Sequence, residues 1–239
     1  MNHNTLLHFL FQFFCKRIWA SLLAATQSPS EYALCETSLI GRKLLNSRSR
    51  SSITMSSSIF TSTSDQIIEH VVLYKLKPDA DPPAVNAMLS NLHSLASIDS
   101  VLHLSAGPVS RCRSNSLTFT HMLHCRYRSK PDLISYSENP KHISVVANYV
   151  KPVVDDVMAV DWVANDFSFS PVIPPGSASR LTILKLKEGT GESGKNEVLG
   201  RLRGIKQKHP SIEQLTVGEN FSPGRAKGFR FARLRFSRD

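Results

Sequence analysis

The segment Tyr136-Ser-Glu-Asn-Pro-Lys-His142 carries two side chains suited to holding or moving a proton. The Tyr136 hydroxyl can donate a hydrogen bond, Pro140 fixes the backbone between the two, and an imidazole such as His142 titrates near neutrality. Acting together, His142 would remove an acidic proton while Tyr136 holds a carbonyl oxygen. The plainer reading is a surface tyrosine and a helix-start histidine with no catalytic task. A second histidine, His70, lies in the run Ile68-Glu-His-Val-Val-Leu-Tyr-Lys-Leu-Lys77, which is read as a strand.

Other constellations point to blander roles. Gly189-Thr-Gly-Glu-Ser-Gly194 spells GxGxxG, but the surrounding elements do not form a doubly wound parallel sheet, so a flexible turn is expected. Phe229 to Phe236 interleaves aromatics with Arg230, Arg233 and Arg235, as a nucleic-acid platform would. Ordinary strand alternation explains it better: the apolar face switches partway, and a bulge could restore it. Nucleic-acid binding through this basic segment is therefore the weakest of the functional alternatives. The same strand could also form an exposed pairing edge. Cys15, Cys35, Cys112 and Cys125 have neither the density nor the spacing of a disulfide scaffold or zinc site, and a reducing compartment suits them.

The elements that must position these residues occur twice. Leu73-Tyr-Lys-Leu-Lys77 recurs as Ile183-Leu-Lys-Leu-Lys187, and the glycine of Ser105-Ala-Gly107 recurs in Thr216-Val-Gly218. After each first strand comes a helix-period stretch: Val85, Met88, Leu89, Leu92 and Leu95, then Val198, Leu199, Leu202 and Ile205. Short strands follow at Val101 to Leu104 and Ile212 to Val217. A third strand holds Phe119, His121, Leu123 and Cys125 in one copy and Phe229, Phe231, Arg233 and Arg235 in the other. The first copy continues through a helical region, Pro131 to Val154, to a closing strand near Val157 to Trp162. The second lacks both. Such a β-α-β-β-α-β order puts helices on one face of an antiparallel sheet and leaves the other face apolar, to be covered by a partner sheet.

The chain accordingly divides into a leader (1–64), a complete domain (65–166), a Pro/Ser linker (167–179) and a partial second domain (180–239). The +10 net charge is spread unevenly, at +4 for residues 1–64, −2 for 65–166 and +8 for 167–239. That distribution argues against a uniformly basic phosphate-binding surface. The leader is rich in serine and poor in acids, like a transit peptide. Its apolar runs, Leu6 to Cys15 and Ile18 to Ala25, are split by Lys16 and Arg17 and fall short of the ~20 residues a membrane span needs. Ser47 to Ser64 is almost structureless in composition. Alternatively, translation starts at Met55. A used leader implies a plastid or mitochondrion, its absence the cytosol or peroxisome, and Ser237-Arg-Asp239 is not a signal of the Ser-Lys-Leu type.

The opening strand with His70, the glycine after the second strand and Tyr136-x-x-x-Pro140-x-His142 together resemble the stress-response A/B barrel (Dabb) family, in particular its plant tandem-domain members. The resemblance covers most of 66–163 and, more weakly, 180–237. It implies a ferredoxin-like, dimeric α+β barrel with a cavity between sheet and helices. The family includes a polyketide cyclase that makes olivetolic acid. By that resemblance His142 is base, Tyr136 orienting donor, and His70 lines the cavity. A cavity tyrosine of the cyclase has no counterpart in Ser90-Asn91-Leu92, and Asn139 replaces the motif's first histidine. The resemblance also implies a cation, such as magnesium, at backbone carbonyls around Leu95, Ile98, Asp99 and Val101, where an ordinary helix C-cap is the plainer reading.

The expected function is thus binding of a small apolar ligand or a structural role as a homodimer or intrachain pseudo-dimer. A polyketide cyclase- or lyase-like enzyme using His142, Tyr136 and His70 is the alternative.

Overall fold

In the computed structural model, the described residues are 31–38, 66–114, 116–165, 167, 170–174 and 176–238. The leader's apolar runs, Ser47 to Ser64 and Met55 lie outside them.

The first repeat comprises β2 (Ile67–Leu76), helix α1 (Pro82–Ser94), β3 (His103–Pro108), β5 (His121–Tyr127), helices α2 (Lys130–Glu138) and α3 (Pro140–Val145), and β6 (Val154–Ala164). Its antiparallel sheet has the order β3-β5-β2-β6. Pro82 and Pro83 start α1, where a missing N–H costs nothing. The helix buries Met88 and Leu92 at the spacing read from the sequence. Ser129 caps α2 by accepting from the Asp132 N–H at 3.3 Å. Asn139 caps α3 by accepting from the Lys141 N–H at 2.9 Å. The residue that departs from the family motif thus has a definite structural task. The second strand sits a few residues later than expected, at His103–Pro108.

The central strand β2 is covered on both sides, which is why its sequence is nearly continuous in apolar residues. Val71 and Leu73 join a core shared with the second repeat, whereas Ile68, Val72 and Tyr74 pack under the helices.

The second repeat comprises β7 (Ser177–Lys185), helices α4 (Glu192–Arg203) and α5 (Ile205–Lys208), β8 (Ile212–Glu219) and β9 (Phe231–Arg238). Gly189 and Gly191 form the turn before α4, with Gly189 at φ +78°, which agrees with a turn role for the GxGxxG run. β9 is not an exposed edge: it lies between β7 and β8. Phe231 packs towards α4 while Ala232, Leu234 and Phe236 enter the intersheet core, so both strand faces are apolar in part. The register shift falls on the β8 side, between Ile212 and Gln214. It is not a bulge that re-aims β9.

Within the stretch read as a transit-peptide-like or disordered leader, Glu31–Ser38 is instead strand β1. It pairs antiparallel with β7 along its whole length and, on its other side, with the short strand β4 (Arg111–Ser114). The second sheet therefore reads β4-β1-β7-β9-β8. β1 occupies, beside β7, the place β6 occupies beside β2. The likeness extends to side chains. His70 stands opposite Asp161 and the two are bonded; Arg180 stands opposite Glu36 and the two form an ion pair, both contacts at 2.5 Å.

The two sheets pack face to face through Val71, Leu73, Met158, Val160 and Trp162 on one side and Leu181, Ile183, Leu234 and Phe236 on the other, with Ala33 and Cys35 of β1. Asn220 bridges to Trp162, and its side-chain oxygen accepts from the Asp161 N–H at 3.0 Å. Gly218 makes this closeness feasible, since a Cβ there would lie 2.6 Å from Trp162 Cδ1 and 2.7 Å from the Val163 carbonyl oxygen. The fold is α+β with ferredoxin-like units. The apolar sheet face expected to need a partner is covered by the second repeat of the same chain.

Candidate functional site

Beneath α2 and α3, on the helix face of the first sheet, the structure brings Tyr136, His142 and His70 together. The Tyr136 ring lies 4.5 Å from that of His142 and 6.3 Å from that of His70. The phenol comes from the buried face of α2, one turn from Leu133, and the imidazole from the first turn of α3. His70 is 4% exposed and Tyr136 1% exposed, so the site is closed at its floor and reaches solvent past the half-buried His142. An exposed groove of about 500 Å³ along Pro131, Ile134, Ser135 and Glu138 lies on the outer side of α2 and shares none of these three residues.

Sequence reasoning missed the site's other members. Tyr127 and Cys125 of β5 complete the floor, with the Tyr127 ring 5.3 Å from Tyr136. The Tyr127 and Tyr136 hydroxyls find no strong acceptor in the protein; they interact only with the Cys125 thiol and with each other. Burial pushes both phenols well above the ordinary tyrosine range and the Cys125 thiol up to about 12, so all three stay protonated. Asp161 holds His70 through Nδ1 at 2.5 Å. Burial alone would raise the Asp161 carboxyl, but the His70 hydrogen bond and charge, with Ser222 and Arg225, together outweigh it and the net direction is down. The second repeat contributes too: Arg225 stands 3.6 Å from Asp161 Oδ2, and Phe221 packs against the helix-side core.

His142 Nδ1 lies 3.0 Å from the Ser137 carbonyl oxygen. A carbonyl only accepts, so Nδ1 carries the hydrogen and Nε2 keeps a lone pair. Burial lowers the imidazole's pKa despite this contact, with His70 and Arg225 adding to the effect. His142 is therefore a neutral ring at neutral pH, chemically a base.

A second polar cluster lies on the opposite sheet face, between the repeats. Glu69 accepts from Arg126 at 3.0 and 3.1 Å and meets His124 Nε2 at 2.5 Å, all three side chains being essentially inaccessible. Arg126 also donates to Gln214 at 2.8 Å and stacks over Phe236 at 5.3 Å, both residues of the second repeat. Burial would raise the Glu69 carboxyl, but Arg126 and His124 overcome it and bring it to about 2. The signal available in the sequence was a glutamate and an arginine inside otherwise apolar strands, residues that stay buried only when paired.

At the expected cation position the backbone carbonyls take part in ordinary helix-end contacts. The Leu95 and Ile98 carbonyls already accept from the N–H groups of Ile98 and Val101, at 3.1 and 2.9 Å. Leu95 and Ile98 are buried core residues, whereas Asp99 is exposed. At the end of α1, Lys141 Nζ donates to the Ser94 carbonyl at 2.6 Å and to Ser97 Oγ at 2.9 Å, so an ammonium already supplies positive charge there. Among the described residues no group of three or more His, Cys, Asp or Glu side chains could hold a metal, and no helix is long and apolar enough to cross a membrane.

Comparison with known proteins agrees with this architecture. The family model described as the stress responsive A/B barrel domain matches residues 68–164 and again 178–234. One stress-response A/B barrel domain-containing protein of Arabidopsis thaliana is 45% identical over 224 residues, covering 93% of this chain and 83% of that one. A second A. thaliana protein of the same description is 42% identical over 175 residues, covering 72% and 81%. A crystal structure of a Dabb family protein with a ferredoxin-like fold from Mesorhizobium loti aligns at 18% identity and a TM-score of 0.36, over 40% of this chain and 94% of that chain. With both repeats matched and relatives of this similarity and coverage, the chain belongs to the stress-response A/B barrel domain family.

Proposed function

We propose that the first repeat binds a small, mostly apolar molecule carrying one carbonyl or phenolic oxygen, held beneath α2 and α3. The observation that carries this reading is the pair of buried hydroxyls on Tyr127 and Tyr136, whose contacts in the protein are only with each other and with the weakly hydrogen-bonding Cys125 thiol. A buried donor without a strong acceptor bears part of the about 1–3 kcal/mol that an unmade hydrogen bond costs, and a ligand oxygen would recover it. Arg225 at the edge favours an oxygen that bears negative charge.

The test is native mass spectrometry of the gently purified full chain beside Tyr136→Phe. A retained small molecule in the parent, lost in the variant while unliganded stability is unchanged or higher, supports the reading. A variant less stable by more than about 1 kcal/mol with no molecule retained in either would show that the hydroxyl serves packing instead.

Catalysis is a second reading, favoured by the neutral His142 whose Nε2 lone pair is free of the Ser137 contact. His142 would take a proton from carbon next to a carbonyl that Tyr136 holds. Turnover of any substrate found that survives His142→Ala unchanged would exclude it. Magnesium has no part in either reading. Face-to-face pairing of ferredoxin-like sheets is met here within one chain, as a pseudo-dimer, so a homodimer would form through another surface. The native mass reports that as well.

A further inference from the structure

β1 is held to the body by pairing with β7 and β4 and is connected to β2 only through residues 39–66. In that pairing Cys35 of β1 stands directly opposite Cys112 of β4, with the two sulfurs 3.1 Å apart. Directly opposed residues of antiparallel strands have Cα atoms about 4.5–5.5 Å apart, inside the range a disulfide spans. We propose that Cys35 and Cys112 are a cross-strand dithiol that peroxide oxidises to a disulfide, fastening to the body the strand that completes the second repeat.

The two thiols differ as such a pair requires. Cys35 is 1% exposed within the intersheet core, whereas Cys112 is partly exposed at the sheet margin between Arg111 and Arg113. The Cys35 thiol bonded to Cys112, helped by the Phe119 backbone, brings Cys112 down to about 6 against the opposing effect of burial. Cys35 moves upward for the same contact. Being the thiol that solvent reaches, Cys112 is the attacking thiolate, and the enclosed Cys35 is the resolving thiol. Cys112 Sγ attacks one peroxide oxygen; the S–O bond forms as the O–O bond breaks, and hydroxide leaves as water with one proton. Cys35 Sγ, giving up its proton, then attacks the sulfenic sulfur; the S–S bond forms, the S–O bond breaks, and a second water leaves. Two thiols and one hydrogen peroxide give one disulfide and two waters. Cys125, buried and pushed up to about 12, takes no part.

The test treats the full chain with hydrogen peroxide, alkylates free thiols, digests without reductant and maps the peptides by mass. The expected product is one linked peptide pair joining Cys35 to Cys112, two hydrogens lighter than the sum of its parts and released by reductant. Native trypsin treatment adds a second reading, because Arg42, Lys43, Arg48 and Arg50 lie between β1 and β2. In the oxidised chain the N-terminal fragment stays attached under denaturing, non-reducing conditions; in Cys112→Ser it separates. Recovery of both cysteines alkylated, of Cys112 as sulfinic acid, or of Cys35 joined to Cys15 overturns the proposal. The parent chain alone yields these outcomes, so the test stands even if a variant fails to fold.

Discussion

In the first repeat the strand residues under the helices are His70, Val72, Leu123, Cys125 and Tyr127; at the corresponding positions of the second they are Arg180, Thr182, Arg233, Arg235 and Ser237. The first set needs cover, and α1, α2 and α3 supply it. The second set is polar, with the buried Arg233 donating to the buried Thr182 at 2.9 Å, and the apolar cluster beside it is small, centred on Leu184, Val217 and Phe231 with Leu202 of α4. The intersheet faces, by contrast, carry a shared apolar core in both repeats, with the Glu69, His124 and Arg126 cluster set within the first. The second repeat thus presents an apolar surface to its neighbour and a largely polar strand surface under its own helix. What the second repeat contributes there is the segment that sets Phe221 and Arg225 at the edge of the first repeat's site.

The largest test of this asymmetry is the borrowed strand. A chain beginning at Met55 lacks β1 and leaves the β7 edge unpaired. Hydrogen exchange is expected to lose protection across Ser177–Lys185 and to keep it across Ile67–Leu76; equal protection in both would mean that β1 is dispensable.

The paired charges should separate next. Glu69→Ala strands Arg126 and His124 in the core and should cost about 3–5 kcal/mol in denaturant unfolding. Glu36→Ala removes the partly exposed pair with Arg180 and should cost about 1 kcal/mol or less after solvent screening. Similar losses would refute the view that the intersheet network, not the borrowed strand's ion pair, is the stronger tie.

The two corresponding glycines offer a smaller contrast. Gly218→Ala meets Trp162 and the Val163 carbonyl and should cost about 1–3 kcal/mol, whereas Gly107 has open space and its alanine variant should stay within about 0.5 kcal/mol.

The pH dependence is the gentlest probe. Burial holds His103 neutral, lowering it from 6.5 to about 3; its contribution is complete above 6.5 and is lost as pH falls towards 3. Glu69, about 2 in the fold against an ordinary 4.5, contributes fully above 4.5 and loses its share as pH falls towards 2. Unfolding midpoints should therefore decline from pH 6.5 downward. His103→Phe should make the upper part of that decline shallower, burial of His121, His124 and His142 supplying the rest, while leaving the Glu69 part below 4.5.

Much of the fold was legible because its signals are local and repeated. The shared Leu-Lys motif, the period of Met88, Leu89, Leu92 and Leu95, and the turn before α4 identify elements from neighbours a few residues away. Tyr136, His142 and His70 stood out by residue type within those elements. Their partners did not: Asp161 is 91 residues from His70, Arg225 comes from the other repeat, and Glu69 reads simply as an acid in a strand. β1 gave no signal at all, since eight residues of ordinary composition in a serine-rich leader acquire a structure only from the edge they fill.

The sequence by itself determined two ferredoxin-like units, one complete, with one apolar sheet face each, because burial periodicity is written along the chain. Tertiary structure alone decided that the leader supplies the missing strand, that Cys35 meets Cys112 across 77 residues of sequence, and that the buried Arg126 of the first repeat reaches Gln214 of the second. Those outcomes depend on which edges and faces remain unsatisfied once the local elements have formed. No window of sequence contains that information.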